Sequence, residues 1–209
     1  MQNNEKVQKR RSFIFCPGNN PDMIPKALNS GADMVCIDLE DAIIPEHKDI
    51  SRSKTIEAFK NIEIPDGIEA LIRINDVNSE DGKKDIEAIM NSSSFPSGLM
   101  LPKIQSVEEI LNMENNILEK NININLHIII ETNKGLDKCW DIAHSSNLVK
   151  SLLFGGVDMS ADLGCKGDWF SLLYARSRVV HAAAGAGIDS IDVPFLDLED
   201  TEGLKKEAQ

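Results

Sequence analysis

Seven short apolar runs punctuate the chain, at Phe13–Cys16, Met34–Leu39, Ala70–Ile74, Gly98–Leu101, Leu126–Ile130, Ser151–Phe154 and Ile191–Leu196. Most are near-continuous rather than alternating, as in strands of a parallel sheet covered on both faces. Each is followed by polar sequence that can hold a helix, and the spacing suits one strand–helix unit per run. Asn20–Ser30 opens on Asn-Pro, a cap and first helical residue. Ser106-Val-Glu-Glu109 has capping-box spacing ahead of Ile110 and Leu111. Trp169–Ala184 carries apolar residues at helical spacing, and Gly185 and Gly187 are expected to close that helix.

Alternating strands and helices leave two architectures, an open doubly wound sheet or a (β/α)8 barrel. The dinucleotide fingerprint G-x-G-x-x-G is absent. Gly155-Gly156 and Gly185-Ala-Gly187 lack its spacing and read as lacking its strand–turn–helix setting. The polar residues decide. The runs end in Cys16-Pro-Gly18, Asp38-Leu-Glu-Asp41, Arg73-Ile-Asn75, Pro102-Lys103, Glu131-Thr132, Gly155-Gly-Val-Asp158 and Asp197. A barrel gathers such strand ends on one rim, where barrel active sites lie, whereas a doubly wound sheet spreads them along an edge. The sequence therefore predicts an α/β, TIM-type barrel as a single domain over residues 1–209. Seven of the usual eight strands are counted, so the barrel is expected to lack its eighth strand and C-terminal segment in this chain.

A chain of 209 residues can bury one sizeable core. Its net charge of −12, with no basic stripe, argues against a nucleic-acid partner. No apolar run nears the roughly 20 residues of a membrane span. Met1–Arg11 is polar and lacks the apolar stretch of a secretory signal, which makes the cytoplasm the expected location. Cys16, Cys36, Cys139 and Cys165 form no C-x-x-C pair and lie near no His at zinc spacing, so they are expected to be reduced thiols.

Glu131 and Asp158 follow adjacent strands. Two such carboxylates make a sparse oxygen site suited to Mg²⁺, with waters and substrate oxygens completing the shell; they read equally well as solvated rim charges. Arg73 ends an apolar strand, where an unpaired cation is costly. It reads as a clamp on a carboxylate or enolate, as the internal partner of Asp38, Glu40 and Asp41, or as both. Those three carboxylates repel one another and need compensation from a metal-bound water, Arg73 or Lys103; Asp41 reads as a plain turn residue. The turn through Cys16-Pro17-Gly18 and Asn19-Asn20-Pro21 feeds a helix start and could face a phosphate. His47, His127, His144 and His181 are isolated and read as structural or surface residues.

These stretches form a set that resembles the citrate lyase β-subunit-like family of the HpcH/HpaI aldolase superfamily, which includes malyl-, citramalyl- and citryl-CoA lyases. The matching stretches are RRSFIFCPGNNP (10–21), KALNSGADMVCIDLEDAIIPEHK (26–48), IRIN (72–75), LMLPKIQS (99–106), IIIETNKG (128–135), LLFGGVDMSADLG (152–164) and the segment from 172 to 204. The resemblance implies a barrel, commonly a homotrimer. It implies Mg²⁺, or Mn²⁺ in its place, on Glu131 and Asp158, and a substrate or enolate held by Arg73. The backbone of Gly155, Gly156 and Val157 would meet the keto-acid carboxylate, and Asp38 and Glu40 would order metal waters and Arg73. Pro17, Gly18 and Lys26 would lie along a coenzyme A thioester. The implied reaction is cleavage of a 3-hydroxyacyl thioester into a keto acid and an acetyl thioester. A pyruvate-type aldolase acting on free hydroxy-oxo acids and a non-catalytic Mg²⁺ and keto-acid binder are the alternatives. Val157 and Asp22 depart from the family pattern, standing where many members have Glu and several have Arg.

Overall fold

The structure is a computed structural model that describes residues 8–197 and 199–208. Met1–Val7, most of the segment read above for a signal, lie outside the described residues, as do Leu198 and Gln209. Seven parallel strands pair in chain order: β1 (Phe13–Pro17), β2 (Met34–Asp38), β3 (Glu69–Arg73), β4 (Gly98–Leu101), β5 (Asn125–Ile130), β6 (Val149–Phe154) and β7 (Asp189–Ile191). Between and after them come α1 (Ile24–Leu28), α2 (Lys48–Asn61), α3 (Glu80–Met90), α4 (Val107–Glu119), α5 (Asn133–Ala143), α6 (Gly156–Leu163), α7 (Trp169–Ala186) and α8 (Thr201–Glu207).

Side chains alternate across a strand, and here the alternation sorts two cores. One face packs beneath the helices. The other brings Phe13, Phe15, Met34, Cys36, Leu71, Met100, Ile129, Leu153 and Ile191 into a single cluster. All seven strands contribute to it, which requires the sheet to curl around it. The sheet is therefore a barrel wall with a packed interior. β1 and β7 are its edges, and among the described residues no eighth strand stands between them.

Beneath that apolar layer, at the N-terminal ends of the strands, lies a polar one. Arg10 forks onto Glu69 at 2.6 and 3.0 Å and reaches Asp189 of β7 at 2.8 Å. Asn125 donates to Glu69 at 3.2 Å, and His127 Nδ1 shares a 2.8 Å hydrogen bond with Ser151. His127, read as a structural or surface residue, is fully buried here, away from the rim.

Several expectations need correction. The helix expected over Asn20–Ser30 is a 3-10 turn at Pro21–Met23 followed by the five-residue α1. Pro25 has no N–H to donate within such a helix, which breaks it into two pieces. The seventh strand is Asp189–Ile191 rather than Ile191–Leu196, because Pro194 cannot donate to a ladder. Gly185 lies inside α7, packed against Trp140, and Gly187 alone closes the helix in the left-handed conformation, at φ +68°. Gly155-Gly156 does occupy a strand–turn–helix junction, between β6 and α6, although without the dinucleotide spacing. The Ser106–Glu109 capping box forms as expected, and all four cysteines are free.

Met100 sits at the centre of the inner layer with no exposure. Met100→Ala should lower the unfolding free energy by about 2–5 kcal/mol, measured by urea denaturation. A loss under about 1 kcal/mol would mean that the interior is not packed as described.

Candidate active site

Asp38 and Arg73 face each other in register at the C-terminal ends of β2 and β3. Arg73 Nε and Nη2 fork onto the two Asp38 oxygens at 2.7 and 2.6 Å. The same oxygens accept the backbone N–H groups of Glu40 and Ala42 at 2.8 and 3.0 Å, so Asp38 is fully engaged. Arg73 Nη1 points to Glu40 at 3.2 Å and to the exposed Asp41 at 3.6 Å. Its guanidinium stacks 4.8 Å above the Phe15 ring, on the roof of the apolar interior. Burial opposes the charge on Arg73, but Asp38 and Glu40 outweigh burial and raise its pKa. Both readings of Arg73 thus start from one fact: it is an internal ion-pair partner whose Nη1 edge turns toward the rim.

Lys103 joins the two halves of this rim. It follows β4 with the left-handed φ of 55°, unusual for a residue with a side chain. That turn sends its backbone N–H to Glu131 Oε1, at 2.8 Å, and its ammonium onto Glu40 Oε1. The sequence marked Lys103 only as possible compensation for the acidic cluster. What it missed was the direct tie to Glu131, which depends on a backbone angle that residue type does not reveal.

Glu131 follows β5 and is almost completely buried. Burial and the nearby charges of Glu40 and Asp158 push its carboxyl up to about 8, against the pull of Lys103. Burial likewise raises Glu40, against Lys103 and Arg73. Gly155 has a different part from the one expected. Its N–H is already given to the Ile130 carbonyl at 3.1 Å, and a side chain there would stand 2.6 Å from Glu131 Oε2. Gly155 makes room for the Glu131 carboxylate. The Gly156 and Val157 N–H groups, at the start of α6, have no partner within that helix. Asp158 sits in the same first turn, half-buried.

Pro17 ends β1, and Gly18 donates to the Asp38 carbonyl at 2.9 Å, which locks this turn against the rim. Lys26 is exposed in the last turn of α1, outside the rim network. Asn20 makes no side-chain cap.

The rim thus gathers Asp38, Glu40, Glu131 and Asp158, with Asp41 at its exposed edge, around Arg73 and Lys103, so that carboxylates outnumber cations. A divalent cation would offset that excess and would reverse the penalty on ionised Glu131. Among the described residues no three His, Cys, Asp or Glu side chains form a cage. One or two carboxylates with remaining positions open to small oxygen ligands is what Mg²⁺ accepts, and the residues present fit it.

Fold and rim together define a (β/α)-barrel protein with an enzyme-type site at the C-terminal ends of its strands. Residues 11–209 match the HpcH/HpaI aldolase/citrate lyase family, and the chain belongs to it. It is 31% identical over 216 residues to citrate lyase subunit beta of Leuconostoc mesenteroides subsp. cremoris, a match covering 99% of this chain and 70% of that protein. It is 28% identical over 222 residues to the mitochondrial citramalyl-CoA lyase of Homo sapiens, covering 98% and 64%. Both relatives are carbon–carbon lyases. Among solved structures it resembles CitE from Mycobacterium tuberculosis in complex with magnesium, acetoacetate and coenzyme A, with a TM-score of 0.79 and 25% identity. That match covers 95% of this chain and 72% of the other.

The crowding at Glu131 has a measurable sign. Its carboxyl is held at about 8, above the ordinary 4.5, so the folded protein keeps a proton that the unfolded chain has lost. The contribution of this group to stability must fall as pH rises from about 4.5 to about 8. In EDTA, the unfolding free energy of the wild type relative to Glu131→Gln should decline between pH 5 and pH 8. A difference independent of pH would contradict the crowding.

Proposed function

We propose that this chain is a Mg²⁺-dependent carbon–carbon lyase that cleaves a 3-hydroxyacyl thioester of the citryl-, malyl- or citramalyl-CoA type. The observation that carries this reading is the buried Glu131 carboxylate, placed beside Asp158 and within the reach of Lys103 and Glu40 at the barrel rim. It is supported by the names of the relatives and by the magnesium, acetoacetate and coenzyme A of the CitE complex.

In this reading Glu131 and Asp158 hold the metal. The bound ion supplies Lewis-acid polarisation of the forming keto group. Arg73, steadied by Asp38, turns its Nη1 edge to the substrate oxygens and favours the negative charge that develops as the carbon–carbon bond breaks. The Gly156 and Val157 N–H groups receive the keto-acid carboxylate, at the positive end of α6. Gly155 keeps the space for Glu131. Pro17, Gly18 and Lys26 flank the path of the thioester, with Lys26 as the phosphate contact. The hydroxyl proton passes to a base, the bond electrons go to the acetyl carbon, and protonation there gives the acetyl thioester and a free keto acid. A homotrimer, which rests on the resemblance alone, and a cytoplasmic location, which rests on the polar character of the N-terminal stretch, are part of the proposal.

One observation favours a second reading, a barrel that binds Mg²⁺ and a keto acid without turnover. Asp38 is engaged by Arg73 and two backbone N–H groups, and Glu40 by Lys103. With Glu131 and Asp158 on the metal, the two buried rim carboxylates that remain each already hold a cation, and Asp41, the exposed one, stands 3.6 Å from Arg73 Nη1. An aldolase acting on free hydroxy-oxo acids would differ from both by needing no thioester.

The test is keto-acid release from malyl-, citramalyl- and citryl-CoA, in Mg²⁺ and in EDTA, beside Glu131→Ala. Mg²⁺-dependent release from one thioester, lost in Glu131→Ala, is the expected result. Mg²⁺-dependent oxaloacetate binding with no release from any thioester would replace it with the binding reading. Arg73→Lys keeps the charge and loses the fork, and should lower kcat/KM by roughly 10²–10³-fold; an effect under about threefold would remove Arg73 from the reaction.

A further inference from the structure

Behind the rim, on the side away from the barrel interior, a second polar cluster is unused by the reaction just described. Lys48 begins α2. A cation there opposes the helix dipole, so its position calls for a compensating set of acceptors. Its ammonium has three: the Leu39 carbonyl at 2.8 Å, the Glu40 carbonyl at 2.6 Å and Asn75 Oδ1 at 2.6 Å. Asn75 also donates to the Leu39 carbonyl at 3.0 Å and to Asp85 at 2.7 Å. Asp85 is fully buried and is held in turn by Arg52 at 2.6 Å. The chain of contacts runs from the α2–α3 packing to the backbone of the loop that follows β2. It meets the rim through the backbone carbonyls of Leu39 and Glu40.

Without Lys48 the Leu39 carbonyl would keep only Asn75, and the Glu40 carbonyl only the Ile43 N–H at 3.0 Å. Lys48 and Asn75 gather both of them outward. With its carbonyl held on that side, Glu40 sends its side chain to the rim, where Lys103 takes Oε1 and Arg73 Nη1 faces Oε2 at 3.2 Å. Glu40 Oε2 is buried and has no hydrogen bond among the described residues, so its place is set by the backbone and by the Lys103 contact at Oε1. A small rotation of the loop would move it relative to Arg73.

We propose that Lys48 is a positioning residue for the site, acting through Glu40: it clamps the backbone at Leu39 and Glu40 so that the Glu40 carboxylate stands between Lys103 and Arg73. Asn75 is the second jaw of the clamp, and Arg52–Asp85 fixes Asn75 to the scaffold. The inference rests on the lyase reading for its kinetic expression, and on geometry alone for the contacts. Misplacing a supporting group by a fraction of an ångström commonly costs about 10–100-fold in rate.

The experiment is a double-mutant cycle of Lys48→Met and Glu40→Gln in the full chain, read on whichever thioester the wild type cleaves. Lys48→Met should lower kcat by about 10–100-fold with KM changed by less than about threefold. The double variant should be no slower than Glu40→Gln alone, because Lys48 has nothing left to position. If the two losses multiply, or if Lys48→Met keeps the wild-type kcat, the proposal is overturned. If its activity loss only follows the loss of folded protein, measured by thermal unfolding, the clamp is merely structural and the proposal falls. Should the wild type cleave no thioester, the lyase reading fails by itself. The cycle then reads calorimetric oxaloacetate binding in Mg²⁺, with the same requirement that the two effects not add. Should Lys48→Met fail to fold, Lys48→Arg takes its place: it keeps charge and stem but cannot put one nitrogen within reach of all three acceptors.

Discussion

The fork between Arg73 and Asp38 is the contact on which the rim is built. It lies across the β2–β3 ladder in register, so it forms only if the two strands pair without slippage. A slip of one residue would turn one of the two side chains toward the helices and leave both charges unpaired. The fork also fixes the loop after β2, because the same Asp38 oxygens accept the Glu40 and Ala42 N–H groups. Everything else at the rim is placed relative to these atoms. Phe15 supports the guanidinium from below, Glu40 approaches Nη1 from the side, and Lys103 carries the arrangement across β4 to Glu131.

Much of this was legible in the residues themselves. The near-continuous runs at β2, β3 and β5 marked strands covered on both faces, and the charged residues closing them marked one rim. Glu131, Asp158, Arg73, Asp38 and Glu40 do come together there. What the sequence could not carry were features set by long-range packing or by backbone angle. Pro194 lay within an apolar run, and its missing N–H outweighed that run. Gly155 read as a substrate contact through the family resemblance alone; its closeness to Glu131 is visible only in three dimensions. Lys48, Asn75 and Asp85 are ordinary polar residues in sequence and meet only when α2 and α3 pack beside β3.

The barrel separates its polar chemistry into two layers with an apolar plug between them. The lower layer pairs its charges internally: Arg10 meets Glu69 and Asp189, and Asn125 adds a further hydrogen bond to Glu69. The upper layer is left with excess negative charge and a carboxyl that resists ionisation. That imbalance is the mark of a site prepared for a charged guest, and it lowers the stability of the guest-free protein at neutral pH. The apolar plug, which touches every strand, separates the two layers.

Arg10 also bears on the order in which the molecule assembles. The ladder from β1 to β6 grows by neighbours, each strand closing a loop of one helix and joining the previous strand. The Arg10–Asp189 bond instead spans 179 residues of sequence and joins the lead-in of the first strand to the start of the last. Its loop-closure entropy is the largest of the contacts at that end, and is recovered only after the intervening strands have curled. The clasp is therefore expected to form late, on the native side of the folding barrier. Interactions of that kind leave the rate of folding nearly untouched and govern how slowly the protein comes apart.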